Sequence, residues 1–325
     1  MIPNPKIDVV VVNWNTGACL RQCLASLASV DGVDLGSVVV VDNDSSDGSA
    51  DGLEADPALA RLQLEVLRND ANRGFAAACN QGAVCGGAPY VLFLNPDTEV
   101  RPDSLRRAVT PLEVAPRSGP RVSICGARMV RVDGSVAISA SRFPTLGNTL
   151  VGVLLPAAAR ARFPGLPSRH LTGSELTQSG LVDQVIGAFL LVRRELFESL
   201  GGFDERFFVY YEEVDFTLRA RHAGHHTYFV HDAEVVHVEN VSANASGGRA
   251  LLYSLRSRTL YASRHWPAWQ STVLTAFTLM VEIPLRLLAS VRGPERAFAN
   301  TWRASREYYR FVRARSGNPR RDLVG

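Results

Sequence analysis

The first third of the chain alternates short apolar runs with helical patterns, and this alternation constrains the fold more than any other feature. Four segments have the length and the apolar pattern of strands: 7–12, 38–41, 62–66 and 90–94. Helical patterns lie between them, with apolar residues at helical spacing in 19–27 and an Ala-rich stretch in 75–84. Strands that alternate with helices are typical of a parallel sheet covered on both faces. The sequence therefore predicts an α/β fold.

Polar residues follow each predicted strand at its carboxyl end. Asn13 and Asn15 follow the first strand, Asp42 the second, Arg73 the third and Asp97 the fourth. Ligands of parallel sheets bind outside the carboxyl ends of the strands, so these side chains are expected to converge on one edge. A strand-end carboxylate suits Mg²⁺ or Mn²⁺, which keeps its other positions for phosphate oxygens and water. An Asp after Pro is also ordinary turn chemistry, so Asp97 alone leaves both interpretations open.

A series of motifs in one order resembles the family 2 inverting glycosyltransferases of the GT-A fold. The motifs are Asn13-Trp14-Asn15, the polar stretch 41–49, Asn72-Arg73-Gly74-Phe75 with Asn80, Asn95-Pro96-Asp97, the stretches 187–194 and 201–208, Tyr211-Glu212-Glu213-Val214-Asp215, and His237. The resemblance covers residues 7–265 and is strongest to bacterial rhamnosyltransferases of cell-envelope polysaccharide synthesis. Several motifs in a fixed order are far more specific than any one of them.

The resemblance implies a GT-A-type nucleotide-sugar-binding fold with a central, mostly parallel sheet flanked by helices. It places a catalytic domain in residues 1–248, divided into a nucleotide-sugar-binding half (1–126) and an acceptor-side half (127–248). Residues 249–325 are predicted to form a basic, partly apolar, helical C-terminal extension.

The implied activity is metal-dependent, inverting transfer of a sugar in cell-envelope glycan synthesis. The expected donor is dTDP-L-rhamnose, and the expected acceptor is a lipid-linked or polysaccharide glycan. A UDP or GDP sugar as donor is one alternative. A non-catalytic GT-A-like scaffold is another, because Asn95 and Glu213 both depart from the common family pattern. A nucleotide-binding oxidoreductase is disfavoured, since the segment 13–17 does not supply a Gly-x-Gly-x-x-Gly turn.

Glycosyl transfer needs a base that takes the proton of the acceptor hydroxyl and an electrophile that holds the departing diphosphate. The resemblance assigns the base to Glu213, where the family commonly carries Asp. Glu212 and Asp215 are neighbouring acids that could substitute for it. Acids also open helices in many proteins, because the helix dipole favours negative charge at the first turn, and this alternative stays open.

The resemblance also implies which residues bind the donor and its cation. Asp97 is the expected ligand of Mg²⁺ or Mn²⁺, and His237 is a possible second ligand. Asn95 stands where many relatives carry the first acid of an Asp-x-Asp pair. Asp42 is expected to hydrogen-bond the pyrimidine or the ribose, and Arg73 to approach the base or the diphosphate. The alternatives are a helix or turn cap for Asp42, a surface charge for Arg73 and a structural role for His237. The other donor-site candidates are Asn13, Asn15, Asn72 and Gly74.

The C-terminal part of the chain carries the positive charge. From Arg249 onward there are 14 arginines and four acids, a net charge of +10, so the preceding chain carries −7. Segment 266–281 has 16 residues without a charge, which falls short of the about 20 that span a bilayer. With the arginines and aromatic residues of 292–321 it predicts an interfacial helix on an anionic membrane surface, and a core helix is the alternative. Nucleic acid is not expected as a partner, because the acidic half would repel it.

No apolar secretory segment precedes the first predicted strand. The catalytic part is therefore expected to be cytoplasmic and peripherally associated with the inner face of the cell membrane. The five cysteines lack metal-type pairs and are expected to be reduced core thiols. Oligomerisation is left open.

Overall fold

A computed structural model describes residues 4–114, 119–155, 163, 165–171, 173–238, 249–294 and 296–317. These residues form two compact units. The first unit draws on 1–143, 170–204 and 213–242, and the second on 144–169, 205–212 and 243–325. The predicted boundary after residue 248 adjoins 239–248, which are outside the described residues. Two segments that precede this boundary thus belong to the second unit.

The first four strands of the first unit coincide with the four apolar runs of the sequence, and further strands follow along the chain. They are β1 (Lys6–Asn13), β2 (Asp34–Asp42), β3 (Gln63–Arg68), β4 (Tyr90–Leu94), β5 (Thr98–Val100), β6 (Arg121–Val130), β7 (Ala140–Ser141), β8 (Gly180–Val182), β9 (Gln184–Val185), β10 (Phe189–Arg193) and β11 (His225–His237). Among the described residues, β7 and β9 pair separately, and the other strands form one sheet. Its order is β3, β2, β1, β4, β10, β6, β11 and β5, with β8 paired to β11.

The sheet is mostly parallel, as predicted. Strands β1 to β4 are parallel to one another where they pair, and β6 is parallel to β11. The antiparallel strand β10 lies between β4 and β6, and β5 and β8 are antiparallel to β11. The carboxyl ends of β1, β2 and β4 therefore meet at one edge.

The α-helices cover this sheet in the first unit and continue through the second. They span Cys19–Leu27, Phe75–Ala83, Ser104–Glu113, Leu146–Leu154, Arg194–Ser199, Glu212–His222, Arg249–His265, Ala268–Phe277, Ile283–Ser290 and Ala297–Gly317. Strands β2 and β3 are joined only by turns and a 3₁₀ segment, Pro57–Leu59, so no α-helix separates them. The connection 42–52 is rich in Asp, Ser and Gly, which favour turns over a continuous helix.

Small residues allow the helix Phe75–Ala83 to approach the sheet closely. A Cβ atom on Gly82 would lie 2.5 Å from Cγ1 of Val10 and 3.1 Å from Cγ2 of Val41. The opposite face of the sheet is covered by the helix Cys19–Leu27, whose apolar residues at helical spacing are buried, as predicted. Each face of the sheet has its own buried cluster. None of the five cysteines, all of which lie in the described residues, forms a disulfide; Cys23, Cys79 and Cys125 are buried, and Cys19 and Cys85 are partly buried.

A buried ion pair ties β1 to the helix Arg194–Ser199. Nη2 of Arg194 donates to Oδ2 of Asp8 at 2.8 Å, and both side chains are at most 10% exposed. The Asp8 carboxylate also accepts the backbone N–H groups of Ser37 and Ala88, at 2.8 and 2.7 Å. Arg194 donates in addition to the carbonyls of Ala83 and Ala88. The charges are therefore fully compensated inside the unit, which is what makes their burial tolerable.

The second unit is helical in its C-terminal part. Its apolar cluster joins the helices Arg249–His265, Ile283–Ser290 and Ala297–Gly317 through Leu252, Leu255, Ile283, Ala304 and Tyr308. The predicted apolar segment begins a longer helix than expected, since Ala268–Ser290 runs for 23 residues through a π-helical turn at Thr278–Glu282. By length and composition this helix could cross a membrane. The expectation that it falls short of that length is therefore corrected.

Candidate functional site

The carboxyl ends of β1 and β2 are joined side by side. Asn13 lies opposite Asp42 in the strand register, and its Nδ2 donates to Oδ1 of Asp42 at 2.8 Å. The same amide group donates to the hydroxyls of Ser49 and Ser45, at 2.8 and 3.1 Å. Asn13 and Asp42 are buried. Asn13 therefore orients one oxygen of Asp42 and fastens the polar loop that follows it.

Asn15 holds the same loop from the other side. Its φ of 52° lies in the left-handed region, which Asn adopts more readily than most residues. Its Oδ1 accepts the backbone N–H of Ser46 at 2.8 Å, and its own N–H donates to Oγ of Ser45 at 3.0 Å. The direct contacts of Asn15 are thus to the protein loop, and they shape the rim beside Asp42.

Asn43 was not singled out from the sequence, but it connects β2 to the loop before the helix Phe75–Ala83. Its Nδ2 donates to Oδ1 of Asn72 at 3.0 Å and to the carbonyl of Gly74 at 3.2 Å. Its Oδ1 accepts the backbone N–H of Arg73 at 3.0 Å and Nδ2 of Asn69 at 3.1 Å. The side chain is 2% exposed. A buried amide with two donor and two acceptor contacts rigidifies this loop.

The loop thus held presents Arg73. The Arg73 side chain is exposed, while Asn72 is partly buried and Gly74 is buried. Gly74 has a φ of 86°, a conformation that side chains disfavour, and it starts the helix. Asn72 accepts the N–H of Gly74 at 3.0 Å. Asn72 and Gly74 therefore fix the backbone on either side of Arg73. Among these residues, Arg73 is the exposed one.

Asp97 and His237 come together through the pairing of β5 with β11. Thr98 lies opposite His237 in the register. Oδ1 of Asp97 lies 3.2 Å from Nε2 of His237, and the two side chains are 7% and 14% exposed. That Oδ1 atom is buried and accepts no well-formed hydrogen bond from the described residues. The imidazole contact is therefore close but leaves the carboxylate oxygen incompletely satisfied.

This arrangement fits a divalent cation. An incompletely satisfied, buried carboxylate oxygen beside an imidazole nitrogen offers two ligand atoms, and diphosphate oxygens and water can complete the shell. Burial, and then the negative charges of Asp97 and Glu99, raise the pKa of the Cys19 thiol. Within the described residues no group of three or more His, Cys, Asp or Glu side chains gathers as a metal site.

Asn95 belongs to the turn that carries Asp97. Its backbone N–H donates to the carbonyl of Ala188 at 3.0 Å, and its carbonyl accepts the N–H of Thr98 at 3.1 Å. These bonds connect the end of β4 to the residue before β10. The turn is therefore fixed by backbone contacts on both sides of Asp97.

Glu213 packs beside the same junction. A Cβ atom on Gly187 would lie 3.5 Å from Cγ of Glu213, so the glycine leaves room for this side chain. Gly187 directly precedes Ala188, whose carbonyl binds Asn95. Glu213 is partly buried and Glu212 is buried. Glu213 thereby lies near the β4 and β10 junction within the first unit.

Asp215 has a different environment. It is fully buried, and Nε of Arg219 donates to its Oδ2 at 2.7 Å. Arg219 also donates to the carbonyls of Leu200 and Gly202, each at 2.8 Å. This network ties the helix Glu212–His222 to the Gly201-Gly202 turn. The geometry favours a structural role for Asp215 and leaves the two glutamates as the candidate acids.

Asn80 anchors the same glycine turn to the helix Phe75–Ala83. Its Nδ2 donates to the carbonyl of Phe203 and its Oδ1 accepts the N–H of Phe203, both at 2.9 Å. The ring of Phe203 packs against Phe93, Phe197 and Phe216. The segment 201–204 therefore connects the helix Phe75–Ala83 to the apolar core of the first unit.

Comparisons with known proteins agree with this geometry. Residues 8–201 match the family described as Glycosyl transferase family 2. The chain is 31% identical over 302 residues to an N-acetylglucosaminyl-diphospho-decaprenol L-rhamnosyltransferase of Mycobacterium tuberculosis, covering 88% of this chain and 93% of that protein. It is 25% identical over 177 residues to Rhamnosyltransferase WbbL of Escherichia coli, covering 54% of this chain and 62% of that protein.

Solved structures share the fold. The mannosyltransferase PcManGT of Pyrobaculum calidifontis, in complex with GDP-Man and Mn²⁺, has a TM-score of 0.54 at 18% identity and covers 98% of this chain and 89% of its own. S. aureus TarS 1-349 in complex with UDP-GlcNAc has a TM-score of 0.52 at 17% identity and covers 97% and 92%. At these identities the likeness establishes the GT-A fold. With the family match over more than half of its length, the chain belongs to glycosyl transferase family 2.

Proposed function

We propose that the protein transfers L-rhamnose from dTDP-L-rhamnose to a lipid-linked or polysaccharide acceptor in cell-envelope glycan synthesis. Family membership establishes that it is a glycosyltransferase. The Mycobacterium tuberculosis relative, matched over 93% of its length, supports rhamnose as the sugar and a lipid diphosphate as the acceptor class. The structural observation that carries the proposal is the Asp97 and His237 pair at the carboxyl edge of the sheet.

In the proposed reaction, Glu213 takes the proton of the acceptor hydroxyl. The acceptor oxygen forms a bond to the anomeric carbon as the bond from that carbon to the diphosphate oxygen breaks. The electron pair of the broken bond leaves with dTDP, and the configuration at the anomeric carbon inverts. Glu213 is a partly buried carboxylate in the first turn of the helix Glu212–His222, and such a group is suited to general-base chemistry.

The donor would be held along the sheet edge. Asp42, oriented by Asn13, would bind the ribose or the pyrimidine with its other oxygen. Arg73, presented by the loop that Asn43 fixes, would approach the base or the diphosphate. Asp97 and His237 would hold Mg²⁺ or Mn²⁺, with Asn95 in the same turn. The bound cation would neutralise charge on the departing diphosphate.

A screen of nucleotide sugars tests the donor. Donors with dTDP, UDP and GDP are compared with and without Mn²⁺ by thermal shift, since a ligand at 100 times its dissociation constant stabilises a protein by about 2.7 kcal/mol. The proposal expects the largest shift and sugar transfer with dTDP-L-rhamnose. A larger shift and faster transfer with a UDP or GDP sugar would show that dTDP-L-rhamnose is not the donor. Absence of transfer with any donor and acceptor would favour the non-catalytic scaffold.

We also place the protein in the cytoplasm, peripherally associated with the inner face of the cell membrane. A lipid-linked acceptor would be presented there. The basic C-terminal part supports this location, because anionic leaflets attract arginine-rich segments.

A further inference from the structure

The helix Ala268–Ser290 presents one apolar face to solvent. Exposed apolar residues recur at spacings of three, four or seven along it and just beyond its end: Trp269, Val273, Met280, Pro284, Leu288 and Val291. Met280 and Leu288 are both 71% exposed. Only 17% of its most apolar window is buried within the protein. An exposed apolar stripe of this length on a folded unit indicates a surface that another apolar phase covers.

The opposite face of this helix is held by buried charges. Glu282 is fully buried, and its carboxylate accepts Nη2 of Arg258 and, at 3.0 Å, Nε of Arg286. Nη2 of Arg258 also donates to Oγ1 of Thr278 at 2.9 Å. The network lies at the π-helical turn and joins the helix to Arg249–His265. One face of the helix therefore packs against the rest of the second unit through these contacts.

This packing argues against a transmembrane orientation. A helix that crossed the bilayer would carry Glu282 into the hydrocarbon, and either its arginine partners would follow it or the ion pairs would break. Charged side chains at the bilayer centre are costly in both cases. A helix lying in the membrane plane keeps the network inside the protein and offers only its apolar stripe to lipid.

The last helix adds positive charge beside aromatic residues. Phe298, Trp302 and Tyr309 are 47%, 56% and 56% exposed and share one edge of the helix Ala297–Gly317. Next to that edge lie four exposed arginines, Arg303, Arg306, Arg310 and Arg313. Aromatic rings at the headgroup level and arginines at an anionic surface are typical of interfacial helices.

We propose that these two faces are a docking surface for an anionic lipid bilayer, with the helix Ala268–Ser290 parallel to the membrane. The docking surface comprises the stripe of Trp269, Val273, Met280, Pro284, Leu288 and Val291 together with the exposed aromatic and arginine side chains of Ala297–Gly317. This inference rests on the membrane location proposed above and assigns it to specific side chains. A second copy of the chain is a poorer occupant, because the net charge of +10 would face itself.

Vesicle flotation of the full-length protein tests the surface. The lipids are phosphatidylcholine alone and phosphatidylcholine mixed with phosphatidylglycerol, at low salt and at about 1 M NaCl, where the Debye length is about 3 Å. Two variants are compared: Val273→Ser with Met280→Ser and Leu288→Ser, and Arg303→Gln with Arg306→Gln, Arg310→Gln and Arg313→Gln. Matched controls change exposed residues of the first unit: Val84→Ser with Val114→Ser and Val132→Ser, and Arg61→Gln, Arg101→Gln, Arg107→Gln and Arg121→Gln.

The expected result is binding to phosphatidylglycerol vesicles that high salt reduces and that both test variants lose. Each arginine near the surface raises partition about fivefold, so the fourfold arginine variant should fall by two to three orders of magnitude. The controls should bind like the parent. Retention of the parent in the membrane after an alkaline carbonate wash would overturn the in-plane orientation.

Other outcomes overturn the membrane assignment itself. Equal flotation of the parent and both test variants would do so. A dimer in lipid-free solution, detected by light scattering and lost in the stripe variant, would assign the surface to a second copy. Calorimetry of dTDP binding without vesicles is run on every variant. Loss of vesicle binding with intact dTDP binding separates this surface from the donor site, and a failure of dTDP to bind the parent would count against the proposed donor only.

Discussion

Replacing Glu213 with Gln tests the assignment of the base. Gln has the same number of heavy atoms, and the side chain lies against Gly187, where a Cβ atom would be 3.5 Å from Cγ of residue 213. The substitution therefore leaves no cavity, and the free energy of unfolding should change by no more than about 0.5 kcal/mol. The amide cannot take a proton. Transfer should fall by about 10² to 10⁴, which corresponds to about 3 to 5 kcal/mol of activation free energy.

Two neighbouring acids serve as controls because their environments differ. Asp215→Asn weakens the ion pair of a fully buried carboxylate with the partly buried Arg219, so it should destabilise the fold by about 3 kcal/mol, at the low end for buried pairs. Arg219 keeps its two carbonyl contacts in that variant. Glu212→Gln should lower transfer far less than Glu213→Gln. The variants thereby separate a loss of stability from a loss of chemistry.

The assay measures kcat for transfer, the dissociation constant of the donor by calorimetry and unfolding in urea. For Glu213→Gln, kcat should fall while donor affinity and the urea midpoint stay near those of the parent. Transfer within a few fold of the parent would refute the assignment of Glu213 as the base. An equal fall for Glu212→Gln would mean that the two glutamates act together.

Three further substitutions probe the cation site and the core. Asp97→Ala should abolish the dependence of nucleotide affinity on Mn²⁺, since one of the two proposed protein ligands is gone; titration of dTDP with and without Mn²⁺ checks this, and an unchanged dependence removes Asp97 from the proposed site. Asp8→Ala should lower the free energy of unfolding by about 3 to 5 kcal/mol, because Arg194 stays buried without its carboxylate; urea unfolding measures it. Gly82→Ala should cost about 1 to 3 kcal/mol, because the new Cβ would lie 2.5 Å from Cγ1 of Val10; a melting temperature equal to that of the parent would contradict the close packing.

The sequence alone predicted the central strands and several of the helices that cover them. Runs such as 90–94 are apolar throughout, because a strand of a parallel sheet that is covered on both faces buries side chains on both sides. Residues after such strands must lie at the carboxyl edge, so Asn13, Asp42 and Asp97 could be placed there by topology. The roles of these residues as donor or cation ligands stay predictions.

Contacts between distant segments could be found only in the tertiary structure. In the sequence, Asn43 is one of many polar residues in 41–49. Its four side-chain hydrogen bonds form only when the loop 69–74 folds against it, so the sequence could not single it out. Asp215 could not be distinguished from Glu213 by spacing, because its burial depends on Arg219 and on the carbonyls of a turn from another segment.

The C-terminal part shows the same division. Composition identified an apolar segment and a basic stretch. Because the uncharged segment ends at Glu282, the sequence predicted too short a length for the helix Ala268–Ser290. The side chain of Glu282 is buried because Arg258, 24 residues earlier, supplies a compensating charge. Sequence determines which residues are apolar or charged. Whether a charge ends an apolar helix or lies inside it depends on a partner that only the folded chain brings near.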